Sequence, residues 1–301
     1  MSRALVPGWF ALVALAVASL AAACSGDPGY NEDELILATT TSLNDSGLLD
    51  ELVPIFEAEE DVKVKIIAVG TGAALRMGAE GNADVLLTHA PASEQVLVEA
   101  GDVTARTLVA YNDFVIVGPA DDPAGVAGMT DVSAALAQIA AAGAAFASRG
   151  DDSGTHKKEL SLWSDAGLSP SVESDGWYLD VGQGMSATLT VANQRSAYTL
   201  TDRGTYLALS SDLVDLIPLV EGDPKLLNFY SVMEVDGGKG RINHVASAAF
   251  SKFLTRRDIQ MLISEYLLEQ YGRPLFFPAA GETEESISAR GGARTEVGER
   301  R

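Results

Sequence analysis

Between Ser148 and His156 the chain reads Ser-Arg-Gly-Asp-Asp-Ser-Gly-Thr-His. A short apolar run, Ala144 to Ala147, leads into it, and a helical pattern from Thr155 to about Asp165 follows. A strand, a glycine-rich loop and a helix start in that order aim unpaired backbone N–H groups and a positive helix end at an anion. Arg149 adds a planar, permanently charged donor. Four other segments carry hydroxyls or glycines where a strand passes into a helix: Thr39 to Ser42, Gly70 to Gly72, Gly182 to Ser186, and Thr199 to Gly204. Singly, each is explained by ordinary capping. Gathered across a cleft, they would make a cage of O–H and N–H donors. A tetrahedral oxyanion suits such a cage because it only accepts, and each charge-assisted bond contributes roughly 1.5–3 kcal/mol.

Competing chemistries use the same residues. Arg149 would pair structurally with Asp151 or Asp152, and either aspartate, if it faced the ligand, would repel a full dianion. That arrangement would favour an anion still carrying a proton, such as hydrogen phosphate. Ser153 and His156, at i and i+3, would share a helix face and make a hydrolase pair. However, a nucleophile needs a base, an orienting acid and an oxyanion hole together, and no nucleophile-elbow pattern is present. His89, His156 and His244 are scattered and Cys24 is the only cysteine, so no metal-ligand cluster is expected. Trp163, Trp177 and Tyr178 read as packing residues.

The elements that must position these turns alternate. Leu35 to Ala38 is a buried strand, followed by a helix with Leu48, Leu49, Leu52, Ile55 and Phe56 at helical spacing and Pro54 inside it. Val62, Val64 and Ile66 form a strand with one wet face, Ala83 to Leu87 another strand, and Ser93 to Ala100 a helix. Three βα units in a row predict a mostly parallel sheet with ligands at the carboxyl ends of its strands. Tyr111 to Val117 carries the chain into a second lobe. That lobe holds helices near 130–142, 155–165, 183–193 and 202–210, and strands at 197–200 and 216–220. Asn228 to Val235 returns to the first lobe, joined by helices at 245–253 and 259–271. The expected division is a first lobe over 34–114 and 227–281, a second over 115–226, and a disordered Glu/Arg/Gly/Ser tail over 282–301.

Residues 1–23 read as a targeting segment, with Arg3 before an apolar run from Trp9 to Ala23 too short for a comfortable membrane span. Leu20-Ala21-Ala22-Ala23-Cys24 resembles a lipoprotein signal with Cys24 as the acylated first residue and 24–33 as a polar tether. The usual leucine lies one place further out than in that pattern. A formal charge of −21 excludes nucleic acid as a partner. It also means that an anionic ligand must be held by local donors rather than by the protein's field.

Seven stretches together resemble the tungstate-binding proteins of ABC importers. They are Ala-Thr-Thr-Thr-Ser at 38–42, Ala-Val-Gly-Thr-Gly at 68–72, Ala-Asp-Val-Leu-Leu at 83–87, Tyr-Asn-Asp-Phe-Val at 111–115, the run from Ser148 to Leu160, Gly-Gln-Gly-Met at 182–185, and Tyr198 to Tyr206. The resemblance implies a two-lobed, type II periplasmic-binding-protein-like α/β fold, each lobe a mostly parallel sheet flanked by helices, with two crossing strands at the hinge. It implies Thr40, Thr41, Ser42, Thr71, Arg149, Ser153, Thr155, Gly184, Met185 and Thr201 as ligand-binding residues. The implied ligand is tungstate or molybdate, with no cofactor. The implied setting is an extracytoplasmic, lipid-anchored monomer that delivers its cargo to an ABC permease.

Overall fold

The computed structural model describes residues 33–236, 238 and 240–290. The expected targeting segment, Cys24 and nearly all of the tether lie outside these residues. Strand β1 (Glu34–Thr40) lies between β2 (Lys63–Val69) and β3 (Val85–Thr88), parallel to both. It is buried on both faces, which is why Leu35, Leu37 and Ala38 follow one another without strict alternation. The crossovers are α1 (Thr41–Asp45), α2 (Leu48–Glu60), α3 (Thr71–Ala79) and α4 (Pro91–Ala100). Helix α2 buries Leu48, Leu49, Leu52, Val53 and Phe56, and it runs on through Pro54 for a further six residues. Phe56 packs edge-on against Phe250, with ring centroids 5.0 Å apart.

The organising strand is β4 (Thr107–Pro119). Residues 107–113 pair antiparallel with the strand that returns from the second lobe, whereas 114–119 pair with two strands of that lobe. The second lobe comprises α5 (Val132–Ala142), β5 (Phe146–Ser148), α6 (Gly154–Asp165), β6 (Tyr178–Asp180), α7 (Met185–Arg195), β7 (Thr199–Asp202), α8 (Arg203–Leu209) and β8 (Leu216–Val220). A 3-10 turn at Pro224–Leu226 leads into β9 (Leu227–Glu234). Then come α9 (His244–Thr255), α10 (Arg257–Glu265), α11 (Leu268–Tyr271), β10 (Phe277–Pro278) and α12 (Glu284–Arg290). Each lobe has its own core, one around Leu37, Phe56, Phe250 and Ile259, the other around Ile116, Ile139, Phe146 and Trp163.

The fold is the two-lobed α/β architecture that the sequence led us to expect, with its details adjusted. The first sheet is parallel among β1, β2 and β3 but antiparallel where β9, β4 and β10 join it. The single helix expected over 259–271 breaks at Tyr266 and Leu267, where Leu267 takes a left-handed φ of 54° and the Tyr266 hydroxyl donates to Ser46 O at 2.8 Å. The tail is ordered over 284–290, contrary to expectation. Ile287 of α12 is buried against Tyr111, Leu227, Phe229 and Ala279, and Glu284 pairs with Arg106 at 2.6 Å. One well-placed apolar residue and one ion pair suffice to dock a short helix that its composition alone would leave in solvent.

Candidate functional site

The turns identified by their composition meet between the lobes. On the first-lobe side, Thr40 ends β1 and caps α1, its Oγ1 accepting from Leu43 N at 3.4 Å and lying 3.3 Å from Ser42 Oγ. Ser42 Oγ in turn sits 3.1 Å from His89 Nε2, at the residue after β3. Thr71 opens α3 directly after β2. Its Oγ1 is buried and has no hydrogen-bond partner among the described residues, an expensive state for a hydroxyl unless a ligand completes it.

The second-lobe side arrives at close range. Gly154, the first residue of α6, lies so near that a Cβ there would stand 2.9 Å from Thr71 Oγ1 and 2.8 Å from His89 Cε1. Glycine is therefore required by proximity, and the α6 N-terminus is pressed onto the first-lobe turns. Gly150 has φ of 58° and backs onto Asp180, whose carboxylate fills the space of any side chain there. Arg149 is buried between these features. Its Nε donates to Gln183 O at 3.0 Å, and its Nε and Nη2 both bind Asp151 Oδ2, while Nη1 takes part in none of these bonds. A cavity of about 450 Å³ lies between the lobes, with Thr41 and Ser42 on one wall and Arg149, Gly184, Met185 and Ser186 on the other.

The two aspartates are accounted for separately. Burial alone would raise the Asp151 carboxyl, but hydrogen bonds from Ser153 and Arg149 hold it below the ordinary carboxylate range, so it stays ionised. Asp151 Oδ1 also accepts from Ser153 N at 3.2 Å. Asp152 is exposed, with a left-handed φ of 57°, and pairs with Lys157 at 3.5 Å. Beneath this loop, burial pushes the Glu159 carboxyl up to about 7 against hydrogen bonds from Tyr178, Trp163 and the Arg149 amide. The Tyr178 hydroxyl donates to it at 2.6 Å and Trp163 Nε1 at 3.2 Å.

Of the residues expected at the site, Thr41, Ser42, Arg149, Gly184 and Met185 line the cavity, and Thr71 faces Gly154 beside it. Ser153 is the N-cap of α6, its Oγ accepting from His156 N at 3.2 Å, while His156 Nδ1 accepts from Asp152 N at 3.1 Å. Both side chains are thus engaged by backbone amides. Thr155 is buried in the first turn of α6, and Thr201 is buried on β7 with its hydroxyl donating to Asp202 O at 3.0 Å. Neither is among the cavity-lining residues. Sequence reasoning set His89 aside as one of three scattered histidines. Its position just past a strand end, like that of the other turns, was the available signal.

Residues 22–258 match the model of the PBP superfamily domain. The chain is 48% identical over 252 residues to the tungstate-binding protein TupA of Peptoclostridium acidaminophilum, covering 82% of this chain and 86% of that protein. It is 47% identical over 262 residues to a putative ABC transporter anion-binding protein of Haloferax volcanii, covering 85% of this chain and 74% of the relative. Among solved structures, the tungstate-binding protein TupA of Desulfovibrio alaskensis G20 matches with a TM-score of 0.73 and 46% identity, over 82% of this chain and 99% of that one. This chain belongs to the PBP superfamily and, within it, to the family of the tungstate-binding proteins.

Proposed function

We propose that the protein is the extracytoplasmic binding component of an ABC importer, capturing tungstate between its lobes and delivering it to the permease. The carrying observation is the buried Thr71 Oγ1, without a hydrogen-bond partner among the described residues and facing the α6 N-terminus, beside a cavity lined by Ser42 and Arg149. Neutral donors on one wall, with a helix end and a guanidinium on the other, suit a ligand that is all acceptor. The similarity to a tungstate-binding protein and to a putative ABC transporter anion-binding protein supports the same reading. Molybdate shares the tetrahedral geometry and charge and would enter the same cage. Sulfate, with shorter bonds to oxygen, would fill it less well.

The ligand shell in this reading is Thr40, Thr41, Ser42, Thr71, Arg149, Ser153, Thr155, Gly184 and Met185, with Thr201 as an outlying member. Calorimetric titration with tungstate, molybdate, sulfate and phosphate tests it, and tungstate or molybdate should bind far more tightly than the other two. Preference for phosphate would overturn the assignment, and the Asp151 carboxylate's engagement by Arg149 and Ser153 argues against such a preference. A hydrolytic role is disfavoured because Ser153 and His156 are each tied to backbone amides. The protein acts as a monomer in this proposal, held at the outer face of the cytoplasmic membrane by acylation of Cys24 after removal of residues 1–23. Mass spectrometry of the mature N-terminus tests the anchor, and an unmodified or absent Cys24 would refute it.

A further inference from the structure

The hydrogen-bond chain behind Ser42 fixes the state of His89. Asn228 Nδ2 donates to Asn112 Oδ1 at 2.8 Å and to the Tyr230 hydroxyl at 2.9 Å, which turns Asn228 Oδ1 toward His89 Nδ1 at 2.9 Å. An amide oxygen only accepts, so Nδ1 carries a proton. In the neutral ring Nε2 is then a bare lone pair, and the group it faces at 3.1 Å is Ser42 Oγ. Ser42 must donate its hydroxyl proton to that lone pair, leaving only acceptor lone pairs for the cleft. A neutral His89 therefore turns Ser42 into a group that repels the very ligand the cleft is built for.

The charge balance of the cleft points the same way. Arg149 is offset by Asp151, and Lys157 by Asp152. A dianion entering this space meets hydrogen-bond donors but little net positive charge. His89 is buried, and its ring edge lies against the N-terminus of α6, where Gly154 would place a Cβ 3.2 Å from Nε2. We infer that His89 takes up a proton as the oxyanion enters, so that anion and proton are captured together; this rests on the oxyanion reading above. A solvent proton goes to Nε2, the Ser42 hydroxyl swings from His89 to the anion, and the imidazolium supplies the missing charge.

The groups facing the ring from every side are consistent with this switch. Burial holds the His89 imidazole below the ordinary histidine range, and Arg149 adds to that; the Asn228 bond, Glu94 of α4 and Asp202 at the end of β7 pull the other way. The Tyr230 ring of β9 lies tilted at 35° to it, with centroids 5.0 Å apart, and stays neutral. Glu94 is committed to Thr88 at 2.7 Å, Ala90 N at 2.8 Å and Arg106 at 2.8 Å, and so offers the ring only a distant field. An arriving dianion is thus the largest change in charge that His89 experiences.

The test is titration of the whole protein with sodium tungstate, at several pH values between about 6.5 and 8.5, in two buffers of different ionisation enthalpy. The difference between buffers counts protons directly and needs no variant. We expect uptake approaching about one proton per tungstate and affinity falling by up to about tenfold per pH unit as pH rises. His89→Gln cannot titrate, so its affinity should be weaker and level across the same range. Any pH chemistry of tungstate itself is common to both proteins. Tungstate binding with no proton uptake, or the same slope in His89→Gln, would overturn the inference while leaving the oxyanion reading standing. Absence of binding at every pH would remove both.

Discussion

Two buried arginines of the second lobe look alike in sequence and differ in how fully carboxylates match their charge. Arg203, at the start of α8, grips Asp113 of β4 through both Nε and Nη2, and its Nη2 also reaches Glu221 at 2.8 Å. Burial works against its charge, but Asp113 and Glu221 more than offset this, and its pKa lies above that of an ordinary arginine. Arg149 is as deeply buried but holds one aspartate of a solvent-facing loop and one carbonyl, with Nη1 outside those bonds and the cavity beside it. Burial and an aspartate neighbour do not separate a structural arginine from a ligand arginine. What separates them is the number of carboxylates that match the charge, two for Arg203 and one for Arg149, and the cavity that only Arg149 lines.

Replacing each arginine should break the comparison cleanly. Arg203→Ala leaves Asp113 unpaired where β4 passes from one sheet to the other, and should cost about 3–5 kcal/mol in chemical denaturation. A loss under about 1 kcal/mol would mean that the clamp is dispensable. Arg149→Ala should instead weaken tungstate binding by roughly 2–3 kcal/mol, a factor of about 30 to 150, with a smaller effect on unfolding. Equal affinity in the variant would return Arg149 to a structural role.

Two further variants examine what underlies Arg149. Glu159 binds a proton more tightly when folded than when unfolded, so its contribution to stability is fully present in acid and is lost as pH rises toward about 7. Between about pH 5 and 8 that loss is roughly 2 kcal/mol, and Glu159→Gln should flatten this part of the stability profile. An unchanged slope would place the titration elsewhere. Gly154→Ala puts a methyl group where Thr71 and His89 already stand. It should prop the lobes apart and weaken binding by about 1–2 kcal/mol, with little change in thermal stability. Full affinity in this variant would show that the contact yields without cost.

The turns were legible because hydroxyls and glycines at strand ends report a backbone role that few other residues fill. Strand direction was not, since the buried run Val85 to Thr88 reads the same beside a parallel or an antiparallel neighbour. The break at Tyr266 was hidden because it depends on a hydrogen bond to Ser46, far away in sequence. Helix α12 was missed because its docking rests on Ile287 and on the pairing of Glu284 with Arg106, both set by tertiary contacts. An isolated histidine carries little signal of its own, and His89 stands far along the chain from His156 and His244. Its place in the cleft comes from Asn112 and Asn228, on strands distant in sequence from it.

The double membership of β4 constrains how the two halves of this molecule are able to move. A strand bonded to one sheet through residue 113 and to another from residue 114 cannot slide without breaking both ladders at once. Twist about the strand's own axis, by contrast, is a soft deformation of β-structure. Any movement of one lobe against the other would therefore twist this strand rather than shift its register, about a midpoint held by the Arg203 clamp. A strand that keeps its register in this way keeps Gly154 aligned with Thr71.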